Sequence, residues 1–324
     1  MEKISSDITV VIPIYNRISF LPNTLQSILT ASHQCPSFMP VIILVDNGST
    51  DGSHEYIRQF KEKHPDDNIV VAQECRQGAS FARNKGLELC KTEYIYFFDS
   101  DDEFSSSFFQ ETEMLCRDKN KYNVIMLTTT QSIGGKIQIR PFKQTSNPAM
   151  QILSGMLNTQ SMIFRTDFLR GIGGWDTNLL TWDDWELGIR TQLAYPKSTW
   201  YTRTPFHRII IHPDSITGNS FSERIHYIEK ALKAAAKTIN HLPDADSNKK
   251  QASIALFYRM KILAGSLLAE KDVEAAGRIE TLASEILPAP SLLRNTLGYL
   301  LKKYVAYGGR GGWRIAFAIT GNLA

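Results

Sequence analysis

Short apolar runs alternate with amphipathic stretches along the first half of the chain. The runs are rich in β-branched and aromatic residues, which is typical of buried strands. Strands are predicted at residues 8–16, 40–45, 68–73, 94–99 and 123–130. Apolar residues at helical spacing predict helices that carry Leu21 to Leu29, Tyr56 to Phe60, Ala79 to Cys90 and Phe108 to Cys116.

Strands that alternate with helices at this spacing predict an α/β fold with a mostly parallel, Rossmann-like sheet covered by helices on both faces. Asp51 is a candidate N-cap of the second helix. A hairpin is predicted around Gly134 and Gly135, and a further strand-rich passage at 199–212. The chain then becomes helical, with candidates at 222–239, 251–270 and 273–287.

Polar side chains follow three of the predicted strands. Tyr15 and Asn16 end the first strand, Asp46 and Asn47 end the second, and the buried stretch Tyr94 to Phe98 runs directly into Asp99 to Asp102. Ligands of open α/β sheets bind beyond the carboxyl ends of the strands, so these groups are expected on one rim.

The acidic strand end needs a physical explanation, because carboxylates this close repel one another. A hard divalent cation such as Mg²⁺ or Mn²⁺ would remove the repulsion and keep coordination sites for phosphate oxygens. The alternative is a solvated loop with an N-cap at one of the acids. Spacing alone leaves both open.

Composition narrows the classes of partner. The chain has 36 basic and 33 acidic residues, a balance that gives no support for nucleic-acid binding. Cysteines at 35, 75, 90 and 116 show neither zinc-site spacing nor a disulfide framework, which favours a reducing cytoplasm. The N-terminal stretch has no signal-peptide pattern, and no run of eighteen apolar residues occurs, so secretion and membrane spanning are not expected.

Four motifs in order, VVIPIYNR, VDNGSTDGS, QGASFARNKGLE and YFFDSDDEF, resemble the nucleotide-binding half of family 2 glycosyltransferases. The resemblance covers about residues 8–215 and implies the GT-A fold. It implies that the donor is a nucleoside-diphosphate sugar, with a UDP-sugar favoured. The implied nucleotide-binding positions are Pro13, Tyr15, Asp46, Asn47, Gly78, Arg83, Asn84, Asp99 and Asp101.

Two of these positions carry qualifications. Many family members have a second aspartate where this chain has Asn47, and this departure puts the base of the nucleotide in doubt. Arg83 has an alternative role, which is to lie over a helix surface without touching the nucleotide.

The family's Asp-x-Asp motif falls on Asp99 and Asp101, with Asp102 beside it. Metal ligation is expected from Asp101, Asp102 and His212, although the sequence does not distinguish which carboxylate touches the metal. His212 comes shortly before a DSIT run and has contact with the diphosphate as its alternative role.

The segment 162–190 resembles the acceptor side of the same family, with Trp182, Asp183, Asp184 and Trp185 in sequence. The motif places the general base on Asp184, which would take the proton of an acceptor hydroxyl as it attacks the anomeric carbon. Alternatively, the two aspartates are only favourable charges at a helix N-terminus. The tryptophans are either a platform for a sugar ring or part of the core.

The resemblance implies metal-assisted displacement with inversion at the anomeric carbon, in the synthesis of a cell-surface polysaccharide or glycoconjugate. Two alternatives stay open: nucleotidyl transfer that makes sugar nucleotides, and a non-catalytic sugar-nucleotide binding protein. The first would be expected to show a Gly-rich basic loop after the first strand, which PIYNRISFLPNT lacks.

The predicted domains are a GT-A catalytic domain at 1–221 and a C-terminal helical region at 222–324. Within the first, residues 1–130 are expected to bind the nucleotide and 131–221 the acceptor, which is a glycan or a lipid-linked molecule. In the tail at 290–324, leucines and aromatic residues alternate with Arg and Lys. Peripheral contact with the inner face of a membrane is one interpretation, and packing on the catalytic domain or in a homo-oligomer is another.

Overall fold

The computed structural model describes residues 7–133, 136–139, 145, 147–201, 207–210 and 220–323. The chain forms two compact units. The first contains Met1–Phe142, Leu157–Leu180 and Pro196–Pro213, and the second contains Lys143–Met156, Thr181–Tyr195 and Asp214–Ala324. Parts of the stretch 131–221 thus belong to the same unit as the C-terminal helices. The division of nucleotide and acceptor roles at residue 130 stays a prediction.

The first unit contains all the described strands. They are β1 (Ile8–Ile14), β2 (Val41–Asp46), β3 (Ile69–Gln73), β4 (Tyr94–Phe97), β5 (Glu103–Phe104), β6 (Val124–Leu127), β7 (Thr130–Ile133), β8 (Lys136–Ile139), β9 (Met162–Arg165), β10 (Ser198–Tyr201) and β11 (His207–Ile210).

The α-helices of both units are numbered in chain order. They are α1 (Leu21–His33), α2 (Ser53–Lys63), α3 (Ala79–Leu89), α4 (Phe108–Cys116), α5 (Pro148–Ser154), α6 (Thr166–Gly171), α7 (Asp183–Leu193), α8 (Phe221–Asn240), α9 (Ser247–Ala269), α10 (Val273–Ile286), α11 (Leu292–Ala306) and α12 (Gly312–Leu323).

A seven-stranded sheet in the order β10-β6-β9-β4-β1-β2-β3 forms the centre of the first unit. β1 pairs in parallel with β2 and β4, and β2 pairs in parallel with β3. Only β9 runs antiparallel, against β4 on one side and β6 on the other. The prediction of a mostly parallel sheet is confirmed.

The single strand predicted at 123–130 is wrong, because this stretch contributes to two sheets. Its first part is β6 of the large sheet, whereas Thr130 begins β7 of a four-stranded sheet in the order β5-β11-β7-β8. The predicted hairpin is confirmed, with Ile133 paired to Lys136 across β7 and β8. Gly134 and Gly135 themselves lie outside the described residues.

Aromatic packing fixes the strand that precedes the acidic loop. Every residue of β4 is fully buried. The rings of Phe98 and Phe104, on either side of the loop, lie 3.9 Å apart between centroids, and the Phe104 ring meets that of Phe108 edge-on at 5.0 Å. The chain is therefore held at both ends of residues 99–103 by apolar contacts, while the acids lie between them.

The start of α2 corrects the predicted cap. Gly52, at φ +94°, occupies the N-cap position, one residue after Asp51. The Asp51 carboxylate still accepts hydrogen bonds from the backbone N–H of Ser53 and from that of Ile18, each at 3.0 Å. Asp51 thus joins the loop after β1 to the start of α2.

The second unit is built around α9, which α8, α10, α11 and α12 contact. By length and composition α9 is the one helix of the described residues apolar enough to cross a membrane, but 61% of its most apolar window is buried within the protein. Small residues allow close helix contact here. A Cβ at Gly265 would lie 2.6 Å from the backbone oxygen of Lys302, and one at Gly298 would lie 2.8 Å from the Phe257 ring. Helix α9 therefore has the burial expected of a core helix.

The contact between α3 and β1 gives a stability test. A Cβ at Gly86 would lie 2.2 Å from a methyl carbon of Val11, so Gly86→Ala forces the helix away from the sheet. We expect the free energy of unfolding to fall by about 1 to 3 kcal/mol, measured by urea denaturation. Gly277→Ala is the matched control, because Gly277 is an exposed mid-helix glycine with nothing within 4 Å of its Cβ position. It should raise stability by about 0.5 to 1 kcal/mol. Equal effects of the two changes would contradict the close α3–β1 contact.

Candidate functional site

Three strand ends meet at one edge of the large sheet in the first unit. β1 is the middle strand, with Ile14 opposite Asp46 of β2 and Val11 opposite Phe97 of β4. Because all three run in parallel, the polar residues that follow them share this edge. Pro13 is half-buried within β1, and Tyr15 follows it with its ring about half exposed.

Two arginines face the acidic loop after β4. Arg83 of α3 donates from Nη2 to Asp99 Oδ1 at 2.9 Å, and Arg17 of the loop after β1 donates from Nε to Asp101 Oδ2 at 3.3 Å. The two carboxyl side chains remain 35% and 20% exposed. Each charge is thus balanced without being closed off from solvent, so an additional ligand can reach both acids.

Asp102 has a different environment from its neighbours. Its side chain is buried, and Oδ2 accepts a hydrogen bond from Gln160 Nε2 at 2.7 Å. The backbone oxygen of Gln160 accepts in turn from the Tyr96 hydroxyl at 2.8 Å. Burial, with the charges of Asp99 and Asp102, raises the pKa of Tyr96 well above its usual value, so this hydroxyl remains a donor. Asp102 therefore anchors the loop to the segment before β9.

Arg83 and Asn84 are both tied to Trp175. The Arg83 guanidinium lies 4.4 Å from the Trp175 ring centroid, a cation–π contact that holds it beneath the acidic loop. The Asn84 amide donates to the Trp175 backbone oxygen at 2.8 Å and accepts from its N–H at 2.9 Å. Gly174, at φ +64°, leaves room for this pairing, because a Cβ there would lie 2.8 Å from Asn84 Oδ1. Asn84 thus orders this segment of the first unit.

Asp46 and Asn47 are buried at the end of β2. Asp46 accepts a hydrogen bond from the Ser49 N–H at 3.2 Å, and its second oxygen lies 3.4 Å from His54 Nδ1. The Asn47 amide donates to the backbone oxygens of Glu74 and Arg76, each at 2.8 Å.

The remaining contact of Asn47 explains the position of Gly78. The Asn47 oxygen accepts from the Gly78 N–H at 2.8 Å. Gly78, at φ +135°, is the N-cap of α3, a conformation that side chains other than glycine rarely adopt. An aspartate at position 47 would have no N–H to donate to the two carbonyl groups, which gives a physical reason for the departure at this position.

The predicted acceptor residues lie in the second unit, at the start of α7. Trp182 is the N-cap residue at φ +57°, and Asp183 and Asp184 form the first turn. Both acids are half-buried, and Asp184 Oδ1 accepts from the Trp185 N–H at 2.7 Å. Trp185 itself is buried, and its indole N–H donates to the Ile152 backbone oxygen at 3.0 Å. Trp185 therefore has the contacts of a core residue, whereas Trp182 is half-buried.

Arg259 of α9 supports the same helix start. Its guanidinium lies 4.6 Å from the Trp182 ring centroid, and Nη1 donates to the Leu153 backbone oxygen at 3.2 Å. Burial lowers the pKa of Arg259 to about 10. The guanidinium still carries its charge at neutral pH, and it fixes Trp182 just before the two aspartates.

The carboxylate oxygens of the acidic loop fit a hard cation only in part. Asp99 and Asp101 offer partly exposed carboxylate oxygens, the ligand type that Mg²⁺ and Mn²⁺ prefer. Asp102 fits this role less well, because it is buried and one oxygen is bound to Gln160. His212 lies outside the described residues. Within the described part of the chain, no group of three or more His, Cys, Asp or Glu side chains has metal-site geometry.

Sequence reasoning missed several residues that position the candidate side chains within each unit. Arg17 could have been found, because it directly follows Asn16 in the first motif. Gln160, Trp175 and Arg259 carry no comparable signal, since each meets its partner across a long stretch of chain.

Comparison with solved structures defines the class of the fold. TarS 1–349 of S. aureus, in complex with UDP-GlcNAc, superposes with a TM-score of 0.67 at 16% identity, over 98% of this chain and 92% of that one. The mannosyltransferase PcManGT from Pyrobaculum calidifontis, in complex with GDP-Man and Mn²⁺, gives a TM-score of 0.61 at 18% identity, over 98% and 85% of the two chains. The fold is that of the GT-A glycosyltransferases, as the family resemblance implies.

The family follows from the sequence itself. The model of glycosyl transferase family 2 matches residues 9–170, half of the chain, and the protein belongs to this enzyme family. TuaG of Bacillus subtilis (strain 168), a putative teichuronic acid biosynthesis glycosyltransferase, is 35% identical over 97 residues. That match spans 30% of this chain and 36% of TuaG.

The hydrogen bonds of the Asn47 side chain with Glu74, Arg76 and Gly78 give a second test. Asn47→Asp places a carboxylate against two carbonyl oxygens and removes two hydrogen bonds, so we expect the free energy of unfolding to fall by about 2 to 4 kcal/mol. The loss should be smaller at acidic pH, where the new side chain is protonated. Urea denaturation at two pH values measures both effects. Asn295→Asp, on an exposed helix position, is the control and should change little. A fully stable Asn47→Asp protein would contradict the assigned network.

The neighbouring pair of Glu74 and Arg76 gives a pH test. Side-chain and backbone hydrogen bonds from Arg76 lower the pKa of Glu74 to about 2. A carboxyl with a lowered pKa stabilises the fold above its unfolded pKa of about 4.3, and this stabilisation disappears as the pH falls towards the folded value. Arg76→Gln should therefore unfold more easily than the parent above about pH 5, with the difference shrinking between about pH 4 and pH 2.

Urea denaturation across this pH range measures the difference. Arg58→Gln is the control, because Arg58 makes only longer contacts, of 3.6 and 3.8 Å, with exposed glutamates. It should have a small effect throughout. A difference between Arg76→Gln and the parent that does not depend on pH would contradict the Glu74 assignment.

Proposed function

We propose that this protein transfers a glycosyl group from a nucleoside-diphosphate sugar to an acceptor hydroxyl, with inversion at the anomeric carbon. The observation that carries the proposal is the pair of partly exposed carboxylates after β4, each facing an arginine, at the edge where β1, β2 and β4 end. Such an edge can receive a nucleotide and its diphosphate.

The base of the donor nucleotide is proposed to lie at the ends of β1 and β2, beside Tyr15 and Asp46. Tyr15 offers a partly exposed ring for stacking, and Asp46 is a buried carboxylate that the Ser49 N–H orients. We favour uracil, since the TarS fragment with this fold was crystallised with UDP-GlcNAc. Asn47 and Gly78 contribute by shaping the loop, because the Asn47 amide and the Gly78 backbone N–H are both hydrogen-bonded within the protein.

A divalent cation, Mn²⁺ or Mg²⁺, is proposed at Asp101 with Asp99 beside it, where it would neutralise charge on the leaving diphosphate. Support comes from the oxygen donors at this position and from the Mn²⁺ in the PcManGT complex. Arg17 and Arg83 would contribute further positive charge near the diphosphate. His212, proposed as an additional ligand, lies outside the described residues.

Asp184 is proposed as the general base that takes the proton of the acceptor hydroxyl. It lies in the first turn of α7, which Trp182 and Arg259 hold in place. Its hydrogen bond from the Trp185 N–H orients one carboxylate oxygen. We propose Trp182 and Asp183 as further contacts on the acceptor side.

The acceptor is proposed to be a glycan or lipid-linked precursor of a cell-surface polymer. The name of the relative TuaG supports this class. Synthesis on the cytoplasmic side is the proposed location. The four cysteines are unpaired and three of them are buried, which fits a reducing compartment.

Two substitutions separate binding from catalysis. Asp184→Asn removes the base but keeps the shape of the side chain, so transfer should fall by about 10²- to 10⁴-fold while the nucleotide Kd is unchanged. Asp101→Ala should weaken both nucleotide binding in Mn²⁺ and transfer. Calorimetry with UDP in the presence and absence of Mn²⁺ gives binding, and release of UDP from a panel of UDP-sugars gives turnover.

Asp167→Ala is the matched control, because Asp167 is a highly exposed aspartate of the first unit. It should behave as the parent in both measurements. Transfer at the parental rate by Asp184→Asn would overturn the base assignment, and metal-independent binding by the parent would overturn the metal assignment.

A further inference from the structure

We infer that α11 in the second unit is a membrane-docking helix whose partner is an anionic phospholipid surface. This inference does not depend on the proposed function. The surface concerned is called the outer face of α11. It consists of Leu292, Leu293, Tyr299, Leu300, Lys303 and Tyr304, together with the C-cap residue Tyr307.

The apolar side chains of the outer face point away from the protein. Leu292 is 84% and Tyr307 85% exposed, and the other leucines and tyrosines of this face are also exposed. At 100° per residue, all seven positions fall within an arc of about 140° on the helix surface. This stripe of α11, which also includes Thr296 and Lys303, is thus largely apolar and aromatic, and each of its leucines and tyrosines is at least 44% exposed.

The opposite side of α11 is the one that packs. Gly298, Leu301 and Val305 are buried, and close contact with α9 occurs at Gly298 and at Gly265. The outer face is therefore not needed for the fold of the second unit. A helix of this kind, apolar both towards the core and towards solvent, requires an external partner to cover the second surface.

Charge identifies that partner. Residues 290–324 contain five basic residues and no acidic residue. The Lys303 ammonium lies on the outer face, 5.8 Å from the Tyr299 ring centroid and 5.9 Å from that of Tyr307. Tyrosine and lysine are both favoured at the depth of the lipid headgroups. There the tyrosine ring is partly immersed in the bilayer, and the lysine ammonium reaches the phosphates.

A second basic residue, Arg310, follows the end of the outer face. The Tyr304 hydroxyl donates to the Arg310 backbone oxygen at 2.9 Å, and the close approach of Gly309 to the Tyr304 ring folds the turn onto the helix. The Arg310 side chain is exposed beside this turn. Apolar insertion combined with basic charge gives the two signals that stable but reversible membrane binding requires.

Vesicle flotation of the full chain tests the inference. The vesicles are phosphatidylcholine alone, or phosphatidylcholine with phosphatidylglycerol. We expect the parent to float with the anionic vesicles, less so at high salt, and to bind the neutral ones weakly.

Two double variants separate the apolar and charged contributions. Leu292→Gln with Leu300→Gln should lower the partition coefficient at least about tenfold on anionic vesicles. Lys303→Gln with Arg310→Gln should lower it about fivefold for each charge removed, on anionic vesicles only. Val273→Gln with Met114→Gln is the matched control, because both residues are highly exposed and lie outside α11; it should float as the parent does.

The substituted side chains are exposed, so all variants should keep the parental far-UV circular dichroism, thermal unfolding and nucleotide binding. Failure of the parent to float would overturn the inference, as would an equal loss in the control. A parent that is a dimer by sedimentation, does not float, and becomes monomeric in the leucine variant would show that a second copy of this chain covers the outer face instead.

Discussion

The balance of charge at the end of β4 is the constraint on which the site depends. A strand buried on both faces carries the chain into three carboxylates, and such a sequence is stable only if each charge is compensated where it lies. Arg17 and Arg83 compensate Asp101 and Asp99, and Gln160 binds Asp102. The contacting rings of Phe98 and Phe104 hold both ends of the loop, so the acids do not move away from their partners.

This arrangement assigns different tasks to residues that look alike in the sequence. Asp99 and Asp101 remain open to solvent, whereas Asp102 is structural. Asn47 and Asn84 likewise resemble ligand-binding residues but use their amides on backbone groups of their own unit. The residues available for chemistry are fewer than the motif suggests, and the others keep them in position.

Much of the fold follows from local pattern. Local pattern predicts strands β1 to β4, the hairpin and the first three C-terminal helices. The reason is that burial of a strand or of one helix face sets the spacing of apolar residues along the sequence. The family resemblance added the GT-A fold. The sequence predicts the cap of α2 one residue early, at Asp51, since Gly52 and not an acid takes the left-handed conformation there.

Contacts between residues that are distant in the sequence could not be predicted from local pattern. Periodicity says which side of an element is buried but not which distant side chain it meets, so the partners Gln160 and Trp175 were missed. The stretch at 123–130 reads as one strand although its residues enter two sheets. In the second unit, the aromatic pair Trp182 and Trp185 divides into one half-buried and one core residue. That difference arises from contacts with Ile152 and Arg259, far along the chain.

The loop that Asn47 secures also carries Cys75, between Glu74 and Arg76. Its thiol is exposed, while those of Cys35, Cys90 and Cys116 are buried, and burial raises the pKa of Cys35 and of Cys116. Maleimide or iodoacetamide reagents will therefore modify Cys75 in preference to the others. The native chain thus provides a single attachment point for a fluorophore or spin label, which can report occupancy of the neighbouring strand ends without any engineered cysteine.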